Sequence, residues 1–129
     1  MPRSEAVTLG TSSLGAGSAP GSEDEARAVD VATALLTGPF ARIDTSRAYA
    51  GGRAEEVLGA ALRALEGSAQ PAAIVTKVDA DPFSGALERD RVLRSHEESL
   101  ARLGVDRIPL LHLHDPYTVA FREAAGPRG

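Results

Sequence analysis

The stretch Ala73-Ile74-Val75-Thr76-Lys77-Val78 decides the fold of this chain. It is apolar on both faces, which is typical of a strand in a parallel sheet with helices on one side and a core on the other. Lys77 near its end is unusual, because an unpaired ammonium group is costly to bury. The stretch therefore predicts a buried strand whose lysine meets a partner near the strand end.

Strand and helix patterns alternate on both sides of this stretch. Apolar residues recur at three- and four-residue steps over residues 54–65, which predicts a helix with one apolar face. Another helix follows the N-cap residue Ser22, and a third ends at Gly104. Three further strands are predicted, at residues 7–9, 40–44 and 108–114. Such alternation predicts a parallel sheet of βαβ units, and we interpret residues 1–129 as one α/β domain.

Length and composition exclude several classes of protein. The chain has 129 residues, a net charge of -4 and a pI near 5.3. Its arginines are scattered among acids, whereas a nucleic-acid surface needs clustered basic residues. The absence of cysteine excludes disulfides and thiolate chemistry. We found neither a signal peptide nor a membrane-spanning segment. A cytoplasmic protein that binds neither nucleic acid nor membrane is expected.

Four polar residues stand at or just after the ends of predicted strands. Asp44 closes the second strand, Tyr49 follows it on a loop, Lys77 nearly closes the third and His114 closes the fourth. In a barrel of parallel strands and helices, the active site is built from the C-terminal ends of the strands and from the loops after them. An acid, a phenol, an amine and an imidazole meeting there indicate proton transfer.

Alternation along the strands gives each side chain an expected direction. Lys77 and His114 should face the barrel interior, and Ile43 and Ile74 should face the helices. His112 shares the face of His114 but lies deeper, and we interpret it either as a core histidine or as a histidine that supports the site from behind.

Several ordered motifs carry a resemblance to a known family. They are Ile43-Asp44-Thr45-Ser46-Arg47-Ala48-Tyr49 with the following residues 51–59, Val75-Thr76-Lys77-Val78, residues 99–106 and His112-Leu113-His114-Asp115-Pro116. Over about residues 7–116 the chain resembles the aldo-keto reductase family, and it looks nearest to the branch that contains aldose dehydrogenases. The resemblance implies the N-terminal half of a (β/α)8 TIM barrel, with about four parallel strands and their covering helices.

The family resemblance implies hydride transfer between a nicotinamide cofactor, NADP or NAD, and a carbonyl or aldose-like substrate. Tyr49 would then be the proton donor, since hydride addition leaves an oxyanion that needs a proton. Lys77 would favour the phenolate form, Asp44 would hold Lys77, and His114 would donate to the substrate oxygen. The resemblance also implies cofactor contacts from Gly10, Thr11, Ser12 and Asp44.

The sequence offers two further candidate sites, one for a dinucleotide and one for a metal ion. Gly15, Gly17 and Gly21 before a helix superficially suggest a Rossmann dinucleotide site. Their spacing is one residue too long, and the acidic residues 23–25 would repel a pyrophosphate at the helix N-terminus. His112 and His114 with Asp115 could form a metal pair, but further ligands are scarce. We predict no metal.

The chain is short for a closed barrel, which needs about 250 residues. We expect that strands five to eight are absent, that the chain is truncated, and that its activity alone is doubtful. A non-catalytic half-barrel fragment or assembly module is the alternative function. An open sheet leaves an edge that can pair with another chain, so self-association is also expected.

Overall fold

A computed structural model describes residues 2–68 and 70–118 of the chain. Within those ranges a parallel sheet of four strands has the order β1-β2-β3-β4. The elements are β1 (Ser4–Gly10), α1 (Glu23–Thr37), β2 (Phe40–Asp44), α2 (Arg53–Ala64), β3 (Ala73–Val78), α3 (Arg89–Leu103) and β4 (Leu110–Leu113). The prediction of four parallel strands with covering helices is confirmed. No helix in these ranges is long and apolar enough to cross a bilayer.

The strand order also separates two kinds of parallel sheet. Each strand of the described chain lies beside the strand that precedes it in sequence. A doubly wound Rossmann sheet instead reverses direction at a switch point. The consecutive order is typical of a barrel wall. It differs from the order of a Rossmann sheet, in agreement with the prediction that the glycines after β1 do not form a dinucleotide site.

Predicted and observed strand ends differ mainly at the sheet edges. β2 and β3 have the predicted bounds, whereas β1 is longer than predicted and β4 is shorter. Ser4 of β1 pairs with Phe40, and the register then shifts before Thr8. Pro109 lies just before β4, as expected for a residue that cannot donate to the sheet. His114 lies just after β4 and donates its backbone N–H to Val78 at 2.9 Å.

The hydrophobic core lies between the sheet and the helices. Ile43 and Ile74 belong to this core, as the alternation predicted, together with Leu36, Leu58 and Leu103 from the three long helices. The helices pack closely: a Cβ added at Gly59 of α2 would lie 2.2 Å from the backbone oxygen of Arg102 in α3. Glycine is therefore needed at this position for the approach of the two helices.

A charged contact fixes α1 against α2. Ser22 caps α1 by accepting from the backbone N–H of Glu25 at 3.1 Å, as the sequence predicted. Arg53 at the start of α2 pairs with both Glu25 and Glu56. The backbone N–H of Gly21 and then the Arg53 guanidinium lower the pKa of Glu25, while pairing raises the pKa of Arg53. These contacts hold the loop after β1 close to the loop after β2.

Part of the opposite face of the sheet is exposed within the described ranges, although Val75 and Lys77 on it are buried. Thr8, Ala73, Leu110 and His112 on this face are all exposed. The interpretation of His112 as a core histidine is therefore wrong, because its side chain is exposed within the described ranges.

Candidate active site

The C-terminal ends of three neighbouring strands bring the predicted site residues together. Asp44 ends β2, Lys77 is the penultimate residue of β3, and His114 follows β4. Tyr49 begins a short 3-10 turn, Tyr49–Gly52, that leads into α2. Direct contacts join these four side chains into one cluster.

Lys77 is the centre of the cluster. Its side chain is mostly buried, and its Nζ donates to Asp44 Oδ2 and to the backbone oxygen of Thr45, each at 2.7 Å. The same Nζ lies 4.6 Å from the centroid of the Tyr49 ring, in cation–π contact. The carboxylate partner makes burial of the ammonium tolerable, which is the pairing that the sequence required.

Tyr49 lies between Lys77 and His114. Its hydroxyl donates to Asp44 Oδ2 at 3.5 Å, and its ring meets the His114 ring edge-on at 5.8 Å between centroids. The next residue, Ala50, has a left-handed backbone with φ of 52° and ψ of 36°. This turn directs the phenol back over the strand ends. A phenol placed among a cation, a carboxylate and an imidazole can give or take a proton.

Two residues around His114 were not predicted from the sequence. Asp79 Oδ1 lies 2.7 Å from His114 Nδ1, and Ser46 Oγ lies 3.5 Å from the same nitrogen. Asp79 comes directly after β3, so the strand-end rule that selected Asp44 and His114 would also have selected it. Ser46 carries no comparable signal, because its role follows from the path of the loop after β2.

The predicted cofactor residues lie beside Asp44. Gly10 is paired with Asp44 across the sheet. Thr11 is buried, and its hydroxyl donates to the backbone oxygen of Asp44 at 3.0 Å, whereas Ser12 is exposed. A Cβ added at Gly10 would meet no atom within 4 Å, so there is open space at this strand end. Cofactor binding by these residues stays a prediction.

A cavity of about 490 Å³ opens beside His114. Its lining includes Asp79, Arg47, Asp81 and Arg91. Arg47 donates to Ser95 and pairs with Glu98, which ties the loop after β2 to α3.

The loop after β3 forms one wall of this cavity and is fixed by Asp81. The backbone N–H groups of Ser84 and Phe83 donate to the Asp81 carboxylate at 2.8 and 2.9 Å and hold its pKa below the usual value. Arg91 adds an ion pair at 3.4 Å. In the described part of the chain, no group of three or more His, Asp or Glu residues is arranged to hold a metal ion.

A family model and individual known proteins match this chain, and all of these matches indicate the same family. Residues 6–125 match the model of the aldo/keto reductase family. Two curated relatives are L-galactose dehydrogenase of Arabidopsis thaliana, 36% identical over 110 residues, and aldo-keto reductase YhdN of Bacillus subtilis, 32% identical over 114 residues. Each alignment covers 85% of this chain and 34% of the relative. The chain thus spans about a third of the length of these relatives.

Solved structures agree with the sequence matches. The thermostable aldo-keto reductase Tm1743 superposes with a TM-score of 0.69 at 30% identity, over 90% of this chain and 40% of that one. An aldo-keto reductase from Klebsiella pneumoniae, solved with NADP and acetate, gives 0.62 at 30% identity, over 84% and 34% of the respective chains. The four-stranded sheet of the described residues is the N-terminal half of such a (β/α)8 barrel. The strand order, the cluster around Lys77 and these matches together show that the chain belongs to the aldo/keto reductase family.

Proposed function

We propose that this chain carries the acid–base half of the active site of an NAD(P)-dependent oxidoreductase. The single observation that supports the proposal best is the position of Lys77, which pairs with Asp44 at 2.7 Å and lies 4.6 Å from the Tyr49 ring. A cation so placed can stabilise the negative charge that develops on the phenol oxygen during proton transfer. Tyr49 then delivers a proton to the substrate oxygen in reduction and removes one in oxidation.

The residues at the end of β1 fit a nicotinamide cofactor in this proposal. Gly10 leaves open space beside Asp44, and the backbone at Asp44 is braced by the Thr11 hydroxyl. Gly10, Thr11, Ser12 and Asp44 would hold the nicotinamide end of NADP or NAD. When bound, the cofactor supplies or accepts the hydride. Three solved relatives that hold NADP or NADPH, two from Klebsiella pneumoniae and one from Bombyx mori, support this choice by analogy.

The proposed substrate is a small carbonyl compound or sugar. The names of two relatives, L-galactose dehydrogenase and glycerol dehydrogenase, support a polyhydroxylated substrate. The cavity beside His114 suits such a molecule, because charged side chains that can bind hydroxyl groups are among those that line it. His114 contacts the edge of the Tyr49 ring, so it would orient the same substrate oxygen that Tyr49 protonates.

Nicotinamide fluorescence tests the proposal directly. NADPH and NADH are titrated into the purified chain, and we expect saturable binding of at least one of them. Tyr49→Phe serves as the matched variant, because it should keep cofactor binding and lose turnover of any carbonyl substrate that the chain reduces. A chain that binds neither nucleotide would contradict the proposal and favour the alternative, a half-barrel module without catalysis. The cytoplasmic location stays a prediction from the sequence.

A further inference from the structure

Glu55 is a buried carboxylate that the proposed proton transfer does not use. It lies in the first turn of α2, and its side chain is fully buried. Its Oε1 accepts hydrogen bonds from the hydroxyls of Thr76 at 2.7 Å and Ser99 at 2.8 Å, and Arg102 lies 3.5 Å from its Oε2. Burying a carboxylate is costly, and a well-packed apolar side chain often replaces a buried charged group without loss of stability. The carboxylate therefore points to a geometry that its bonds impose.

The bond to Thr76 holds the strand that carries Lys77. Thr76 meets α2 on one face of β3, and Lys77, as the next residue, points to the other face. There its Nζ donates to Asp44 and to the backbone oxygen of Thr45, each at 2.7 Å. These bonds tolerate little displacement of the strand, because hydrogen bonds weaken steeply as their geometry departs from the optimum. A fixed Thr76 therefore fixes the ammonium group that follows it.

The contact with Arg102 reaches the turn that carries Tyr49. Gly52 ends this 3-10 turn, and a Cβ added there would lie 3.7 Å from the Arg102 guanidinium. The guanidinium is thus next to both the Glu55 carboxylate and the end of the turn. One buried side chain is in this way linked to the strand of Lys77 and to the turn of Tyr49. The lysine nitrogen lies 4.6 Å from the centroid of the tyrosine ring.

We propose that Glu55 is a positioning residue, which sets the distance between the Lys77 ammonium group and the Tyr49 ring from the helix side of the sheet. The inference rests on the proposed function, in which this pair transfers the proton. Because Glu55 is fully buried behind β3, it acts through Thr76 and through the turn. Both hydroxyl bonds use Oε1, so the position requires an acceptor oxygen and does not require a negative charge.

The composition of the chain gives this distance a direct readout. Lys77 is the only lysine in the sequence, so ¹³C-labelled lysine gives a single set of Cε–Hε signals in ¹H–¹³C NMR. The ring current of Tyr49 displaces these proton signals, and the displacement falls steeply with distance from the ring. Tyr49→Leu, which removes the ring, gives the position of the undisplaced signals.

Two variants remove the acceptor, or its bond to the strand, with little change in volume. Glu55→Leu removes the carboxylate, and Thr76→Val replaces only a hydroxyl by a methyl group. We expect both to move the lysine signals most of the way toward those of Tyr49→Leu. Glu55→Gln keeps an acceptor oxygen and should retain the wild-type signals. Ser99→Ala breaks only the bond to α3 and should retain them as well.

A general loss of stability should not produce the same result. Leu36→Ala destabilises the core through α1 and leaves the bonds of Glu55 intact, so the lysine signals should stay in place. If Glu55→Leu does not fold, the milder Thr76→Val decides the matter. Wild-type signals in Thr76→Val, displaced signals in Glu55→Gln, or an equal displacement in Leu36→Ala would overturn the proposal. Failure of nucleotide binding would instead contradict only the proposed oxidoreductase, because these spectra need no nucleotide.

Discussion

The backbone conformation of Ala50 lowers the stability of the turn that carries Tyr49. Its φ of 52° lies in the left-handed region, which costs a residue with a Cβ about 1–2 kcal/mol. Ala50→Gly should therefore raise the free energy of unfolding by about 1 kcal/mol, measured by urea denaturation. Ala48→Gly is the matched control: Ala48 has φ of -84° and ψ of -20°, so it gains nothing from glycine. A loss of stability in Ala50→Gly would contradict this reading of the turn.

The stability of the loop after β3, which forms one wall of the cavity, should depend on pH through Asp81. Its pKa is lowered in the folded chain by the N–H groups of Ser84 and Phe83, so folding favours the ionised form. The stabilisation is present above the unfolded pKa of about 3.9 and is lost as pH falls through the lower folded value. We expect the Ser84 and Phe83 amides to lose protection from hydrogen exchange in that acidic range. Asp81→Asn keeps an acceptor oxygen without titrating, so equal pH dependence in this variant would refute the assignment.

At the scale of elements, Gly59 sets the distance between α2 and α3. A Cβ there would lie 2.2 Å from the backbone oxygen of Arg102, and backbone cannot move aside as a flexible side chain can. Gly59→Ala should destabilise the fold by about 2 kcal/mol or more, as overpacking does, despite the better helix propensity of alanine. Ala64→Ser, at an exposed position of the same helix, should change stability by less than about 1 kcal/mol. Thermal unfolding of both variants checks this, and a neutral Gly59→Ala would show that the helices can separate.

Glu55 joins three elements from a fully buried position. Its carboxylate accepts from Thr76 of β3 at 2.7 Å and from Ser99 of α3 at 2.8 Å, and Arg102 lies 3.5 Å away. Glu55→Ala should cost about 3 kcal/mol, because the buried hydroxyls and the guanidinium lose their shared acceptor. Glu56→Ala is the control, since Glu56 itself is exposed and Arg53 keeps its pair with Glu25, so the loss should be less than about 1 kcal/mol. Chemical denaturation measures both, and equal losses would contradict a special role for Glu55.

The sequence predicted the inner elements well and the edge elements less well. β2 and β3 each begin with consecutive apolar residues, whereas Ser4 to Ala6 of β1 are exposed and leave no periodic signal. The four clustered side chains could be predicted because parallel strands end on one side of a sheet. The same rule would have selected Asp79, but not its contact with His114, because that contact depends on the path of the loops after β3 and β4.

At the scale of the whole molecule, the exposed part of the sheet face determines the oligomeric state that we expect of the isolated chain. Leu110 on this face is 49% exposed, although it lies on a strand. Apolar surface of this kind favours association, so we expect the isolated chain to form concentration-dependent oligomers in analytical ultracentrifugation. Leu110→Lys should weaken the association. Val31→Lys, at an exposed position on α1, should leave it unchanged. A monomer at every concentration would contradict the expectation.

The consecutive order of the strands also bears on how the chain is made. β2 pairs with β1, β3 with β2 and β4 with β3, so each described strand after β1 finds a neighbour already synthesised. A polypeptide leaving the ribosome from its N-terminus can therefore add one strand at a time to a growing sheet, without waiting for a distant segment. Translation and folding can proceed in the same direction, and the growing sheet always has its newest strand at the free edge.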